Sequence, residues 1–140
     1  MKKYIISIFY LGCTINVFAE EKDIIFFKNE SLDSCYRKPM SPAVQNCMIY
    51  LSGQKKREYE KQFKVLLKKA ENVKGEFHNY SLFLKSLYLA KSKLDEYIEG
   101  ECMAQAYLDE NESFAFHIDK NVCLINGFNE RIIYYKNYQF

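Results

Sequence analysis

Four cysteines, Cys35, Cys47, Cys102 and Cys123, flank the long amphipathic stretches of this chain, and no other feature limits its folding as much. An even set in a small domain reads as two disulfides formed in an oxidising compartment. Local pairing, Cys35 with Cys47 and Cys102 with Cys123, is the preferred arrangement. Cys47 with Cys102 and Cys35 with Cys123 stays open, because connectivity is not encoded in spacing. No C-x-x-C pair occurs, and His78 and His117 lie far from zinc-ligand spacing, so no metal site and no cofactor is expected.

The fifth cysteine, Cys13, belongs to a different kind of segment. Lys2 and Lys3 precede an apolar run from Tyr4 to Phe18 that closes Val17-Phe18-Ala19 before Glu20. This reads as a secretory signal peptide over residues 1–19, cleaved after Ala19 and directing the protein to the periplasm or the exterior. The run is short for a membrane span and is interrupted by Ser7, Gly12, Thr14 and Asn16. Leu11-Gly12-Cys13 offers the minority alternative of a lipid anchor on Cys13.

Residues 20–40 form an N-terminal arm with the apolar run Ile24-Ile25-Phe26-Phe27, and residues 41–140 form the helical domain. Ser41-Pro42 has the signature of a helix start, a capping hydroxyl followed by a residue pre-set for the first turn. Val44, Cys47, Met48, Leu51, Tyr59, Phe63, Leu66, Leu67 and Ala70 then recur mostly at three- and four-residue steps, predicting a helix to about Val73. Gly75 is expected to end it, and Ser81 to cap a second helix whose apolar face is Leu84, Leu87, Tyr88, Lys91, Leu94, Tyr97, Ile98 and Cys102. So short a connection requires an antiparallel pair. After a polar loop from Leu108 to Ser113, Phe114 to Tyr138 reads as a third, shorter helical region interrupted near Asn126-Gly127. No strand-like alternation occurs. The expected fold is therefore all-α: an antiparallel long helical hairpin plus a third shorter helix, stapled by two disulfides.

Charge is segregated within a nearly neutral chain. Setting Lys2 and Lys3 aside makes the 20 basic residues equal to the 18 acidic ones, which removes any net-charge argument for nucleic acid. Yet Gln54 to Gly75 is strongly basic, whereas Asp95 to Asp119 contains no Lys or Arg. Carboxylates at the end of a helix oppose its dipole and cost stability. Asp95, Glu96, Glu99, Glu101, Asp109, Glu110 and Glu112 are accordingly the candidate partner-binding residues, facing a cationic protein. Solvated faces that neutralise each other across the hairpin are the simpler explanation of the same pattern. No H-E-x-x-H, G-x-S-x-G or glycine-rich phosphate loop is present, and neither histidine has triad-like neighbours, so no catalytic residue is expected.

Glu99-Gly100-Glu101-Cys102 followed by Cys123 and Arg131, with Tyr59-Glu60-Lys61-Gln62-Phe63 and Ala90-Lys91-Ser92-Lys93-Leu94 upstream, resembles the lysozyme inhibitor LprI-like N-terminal domain family of exported bacterial proteins. The likeness runs from Cys35 to about Tyr135. The sequence departs from the family pattern at Lys91 for Gln, Leu94 for Trp, Tyr59-Glu60 for Leu-Asn and Phe128 for Thr. The resemblance implies a binding protein that inhibits lysozyme-type muramidases, with the loop from Leu108 to Ser113 obstructing the cleft. It also leads to the expectation of a structural ion pair between Arg131 and Glu101 or Glu99. The alternative function is a periplasmic immunity or adaptor protein that neutralises a secreted toxin or supports an envelope machine.

Overall fold

The computed structural model describes residues 27–140. The signal peptide, the cleavage site after Ala19, Cys13 and the run Ile24-Ile25-Phe26 lie outside the described residues. Four α-helices follow in order: α1 (Leu32–Tyr36), α2 (Ser41–Asn72), α3 (Tyr80–Ala106) and α4 (Phe114–Lys136), with a 3-10 turn at Lys74–Glu76. Among the described residues there is no strand, and no helix is long and apolar enough to cross a membrane.

Both disulfides take the local pairing. Cys35 and Cys47 have Cα atoms 5.5 Å apart and join α1 to the first turns of α2, while Cys102 and Cys123, 5.4 Å apart, join the end of α3 to α4. The second bridge fixes the antiparallel register of α3 and α4. Four residues along each helix, Ile98 again faces Gly127, where an added Cβ would stand 3.0 Å from Ile98 Cγ2. Gly127 therefore permits a close approach of two backbones; α4 runs through Asn126-Gly127 without a break, correcting the expected interruption. A glycine is tolerated inside a helix when packing on that face offsets its cost of roughly 1 kcal/mol.

The first long helix keeps most of its expected seam. Val44, Cys47, Met48, Leu51, Tyr59, Phe63, Leu66 and Ala70 are buried, joined by Ser52. Its principal partner is α4, which runs parallel to it: Ser52 donates a hydrogen bond to Asn121 Oδ1, and seven residues further on each helix the rings of Tyr59 and Phe128 stack at 5.4 Å. Asn121 Nδ2 donates in turn to His117 O at 2.7 Å, so the polar pair is satisfied inside the apolar interface. Helix α4 is thus the element on which both halves of the hairpin, α2 and α3, pack.

That geometry explains why α3 buries so little. Ile98, Cys102 and Ala106 are buried and Leu87 and Leu94 partly so, but Tyr88 and Tyr97 are 52% and 60% exposed, contrary to the expected apolar face. Successive helical residues are rotated by about 100°, so Ile98 facing Gly127 turns Tyr97 outward.

The ends of α2 and α3 also differ from expectation. Met40, not Ser41, occupies the cap position of α2, and neither Ser41 nor Ser81 caps with its side chain; Asn79 precedes α3. Gly75 does not adopt a left-handed conformation, and the chain instead tightens through the 3-10 turn. Ser113 does cap α4, accepting from Phe116 N–H at 3.1 Å. At the opposite end, the rings of Tyr138 and Phe140 pack near Phe77 of the α2–α3 connection and Phe83 in the first turn of α3, giving the aromatic C-terminus a structural use.

Candidate functional site

The acidic tract divides into two parts with different surroundings. On α3 its carboxylates have intramolecular partners. Tyr59, completely buried, donates its hydroxyl proton to Asp95 Oδ1 at 2.6 Å, and Lys91 Nζ donates to Asp95 Oδ2 at 2.7 Å and to Glu60 Oε1 at 2.8 Å. The Lys91 ammonium also lies 4.8 Å from the centre of the Tyr59 ring. Burial alone would lower the Lys91 pKa, but the bonds to Asp95 and Glu60 outweigh it and raise it above the ordinary lysine value. Burial, reinforced by Asp95, likewise pushes the Tyr59 hydroxyl far above the usual tyrosine range.

Further along α3, Glu96 pairs with Lys93 at 2.8 Å, Glu99 pairs with Lys56 of α2 at 3.1 Å, and the Glu101 carboxylate raises the pKa of the Tyr97 hydroxyl above its ordinary value. Charge compensation across and along the helices therefore accounts for Asp95, Glu96 and Glu99. The expected ion pair of Arg131 with Glu101 or Glu99 is absent. With Cys102 level with Cys123 and Ile98 level with Gly127, Arg131 stands about seven residues, or roughly 10 Å, from the level of Glu101. Its guanidinium instead lies 4.3 Å from the centre of the Tyr134 ring and 5.6 Å from that of Tyr135, and its Nε is buried without a hydrogen bond.

The second part is the α3–α4 loop and the first turns of α4. Here Asp109 stands close enough to Asp119 to act on its charge, Glu112 Oε2 lies 3.1 Å from His117 Nε2, and Glu110 has no side-chain partner among the described residues. Among the described residues no Lys or Arg pairs with any of these carboxylates. Burial, then the neighbouring Asp109 charge, raises the Asp119 pKa above the ordinary aspartate value. Burial, then the Asp119 charge, raises that of the Tyr36 hydroxyl, which places the α1 end beside the same acidic end of the bundle.

Apolar surface lies among these acids. Leu108 is 87% exposed at the loop tip, Tyr107 and Phe114 are exposed on either side, and Tyr107 leans on the buried Phe116 ring at 5.4 Å. Glu112 holds a positive φ of 61°, a conformation unfavourable for a residue with a Cβ. The turn it makes brings Ser113 N–H to Glu110 O at 3.0 Å and starts α4. Among the described residues no group of three or more His, Cys, Asp or Glu is arranged to hold a metal ion.

Comparison with protein-family models, curated proteins and solved structures finds no match. The functional reading consequently rests on this geometry and on the resemblance drawn from the residues themselves. Three groups that shape the site had only faint sequence signals. Ser52 and Asn121 are polar residues on otherwise apolar helical faces, and Leu108 is an apolar residue inside a polar loop. Tyr107 and Phe114 carried no signal separating them from ordinary core aromatics.

Proposed function

We propose that the protein is an exported bacterial binding protein whose α3–α4 loop engages a cationic protein partner, in the first instance a lysozyme-type muramidase that it inhibits. The observation that carries this reading is the exposed Leu108 set among Asp109, Glu110, Glu112 and Asp119, with which no lysine or arginine among the described residues pairs. An apolar tip supplies contact area that desolvates on docking, and the surrounding negative field steers a basic partner and accelerates encounter. The two local disulfides fit an oxidising compartment and brace both sides of this end, Cys35–Cys47 through α1 and Cys102–Cys123 beneath the loop. Preorganisation of this kind lowers the entropy lost on binding. The resemblance to the LprI-like family supplies the class of partner.

A muramidase turnover assay tests the reading. Stoichiometric oxidised protein should suppress turnover of a basic lysozyme at low ionic strength, and added salt should relieve the suppression. Unchanged turnover at low ionic strength would remove the inhibitor reading. Co-purification with a secreted toxin instead would transfer the same loop to the immunity reading.

A further inference from the structure

Helix α2 carries a second charged surface, of opposite sign and away from the acidic loop. Arg57, Lys61, Lys64 and Lys68 follow steps of four, three and four, which at about 100° per residue places all four within roughly 60° of arc and along about 16 Å of helix. All four are exposed and none makes an ion pair among the described residues. The acids of α2 lie off this arc and are already occupied: Glu58 by Lys55 and Lys136, Glu60 by Lys91, and Glu71 by Lys74. Like charges three and four residues apart destabilise their own helix. Around the ridge Lys55, Lys56 and Lys74 are neutralised, while the ridge itself and the neighbouring Lys69 make no ion pair among the described residues.

We propose that this ridge docks the protein on an anionic lipid bilayer. The ridge is convex and straight, so it matches a flat, extended field of negative charge better than a discrete pocketed ligand. Three of its four cations are lysines, point charges suited to a diffuse layer of phosphates, whereas recognition of a defined carboxylate or phosphate favours the planar fork of arginine. No aromatic side chain lies on the arc to stack on nucleobases, as single-stranded nucleic acid binding requires. The compartment that the disulfides fit is bounded by lipid. Adsorption through α2 leaves the acidic loop at the end of α3 a separate surface, so one face holds the protein at the envelope while the other meets its partner.

Vesicle co-sedimentation tests this, with oxidised protein recovered after export and vesicles of 3:7 phosphatidylglycerol to phosphatidylcholine or of phosphatidylcholine alone. At low ionic strength the protein should sediment with the anionic vesicles only, and high salt should release it. The variant Arg57→Gln/Lys61→Gln/Lys64→Gln/Lys68→Gln should lose binding at least tenfold with its helical circular dichroism and thermal midpoint retained. The off-ridge variant Lys28→Gln/Lys85→Gln/Lys93→Gln/Lys120→Gln removes the same charge and should bind as before. Equal losses in the two variants would overturn the ridge assignment. No binding to anionic vesicles at low salt, or binding to polyphosphate alone, would overturn the lipid assignment.

Discussion

Tyr59 on α2 donates a 2.6 Å hydrogen bond to Asp95 on α3, joining a fully buried core ring to a residue of the acidic tract. Lys91 closes the arrangement by bonding Asp95 and Glu60 while covering the Tyr59 ring. The hairpin is thereby held by charge and hydrogen bonding on one side and by α4 on the other.

This network predicts alkaline lability. Tyr59 and Lys91 both have folded pKa values raised above their ordinary ones, so each is protonated in the fold where the unfolded chain begins to lose its proton. Their stabilisation is complete below about pH 10 and is lost as pH rises above it. The thermal midpoint should fall steeply above pH 10. Lys91→Ala should cost about 2 kcal/mol at pH 7 by leaving the carboxylates unpaired. Lys91→Met, which keeps the apolar stem, should cost less. Urea titration at pH 7 and melting from pH 8 to 11 provide the check.

Asp119 makes the opposite prediction at low pH. Its folded pKa is raised by burial and by Asp109, so its ionised form costs stability at neutral pH, and that cost is relieved as pH falls through the folded pKa. Asp119→Asn should therefore melt above the wild type at pH 7, and the difference should disappear below about pH 4. Differential scanning fluorimetry across this range reads it directly.

The contact between Gly127 and Ile98 predicts a coupled pair. Gly127→Ala improves helix propensity but directs a Cβ to 3.0 Å from Ile98 Cγ2, on a residue only 5% exposed. Gly127→Leu should destabilise by about 2 kcal/mol through overpacking. In an Ile98→Leu background, which lacks that Cγ2, Gly127→Ala should be better tolerated by at least about 0.5 kcal/mol, measured as a double-mutant cycle.

Each disulfide closes a short loop, with sequence separations of 12 and 21 residues, and should contribute about 3 kcal/mol by restricting the unfolded chain. Non-reducing peptide mapping should recover the Cys35–Cys47 and Cys102–Cys123 peptides. Cys102→Ser/Cys123→Ser should lower stability by about that amount and loosen the loop above the bridge.

Much of this architecture was legible in the sequence because long amphipathic helices advertise themselves through periodicity. The α2 seam from Val44 to Ala70 follows from spacing, whereas of the two cysteine pairings left open only the structure picks out the local one. What sequence could not supply was relative rotation and register. Tyr88 and Tyr97 sit at plausible helical spacing yet face outward, because α3 presents only a narrow line to α4. Arg131 missed Glu101 for the same reason, since the bridge and Gly127 set the two residues at different levels. Gly127 looked like an interruption because a helix interior tolerates glycine only for a packing reason, and that reason lies on another helix. The acidic residues illustrate the limit for function: Asp95 and Glu110 are alike in sequence, but one is tied to the core and the other has no side-chain partner among the described residues.

That distinction yields the most direct test of the proposed binding end. Affinity for a basic lysozyme, measured by calorimetry at low ionic strength, should fall at least tenfold in Leu108→Ala/Glu110→Gln/Glu112→Gln and less than about twofold in Glu96→Gln/Glu99→Gln, whose carboxylates are already engaged by Lys93 and Lys56. Equal affinity of the loop variant and the unaltered protein, or a larger loss in the helix variant, would contradict the assignment of the partner site to the α3–α4 loop.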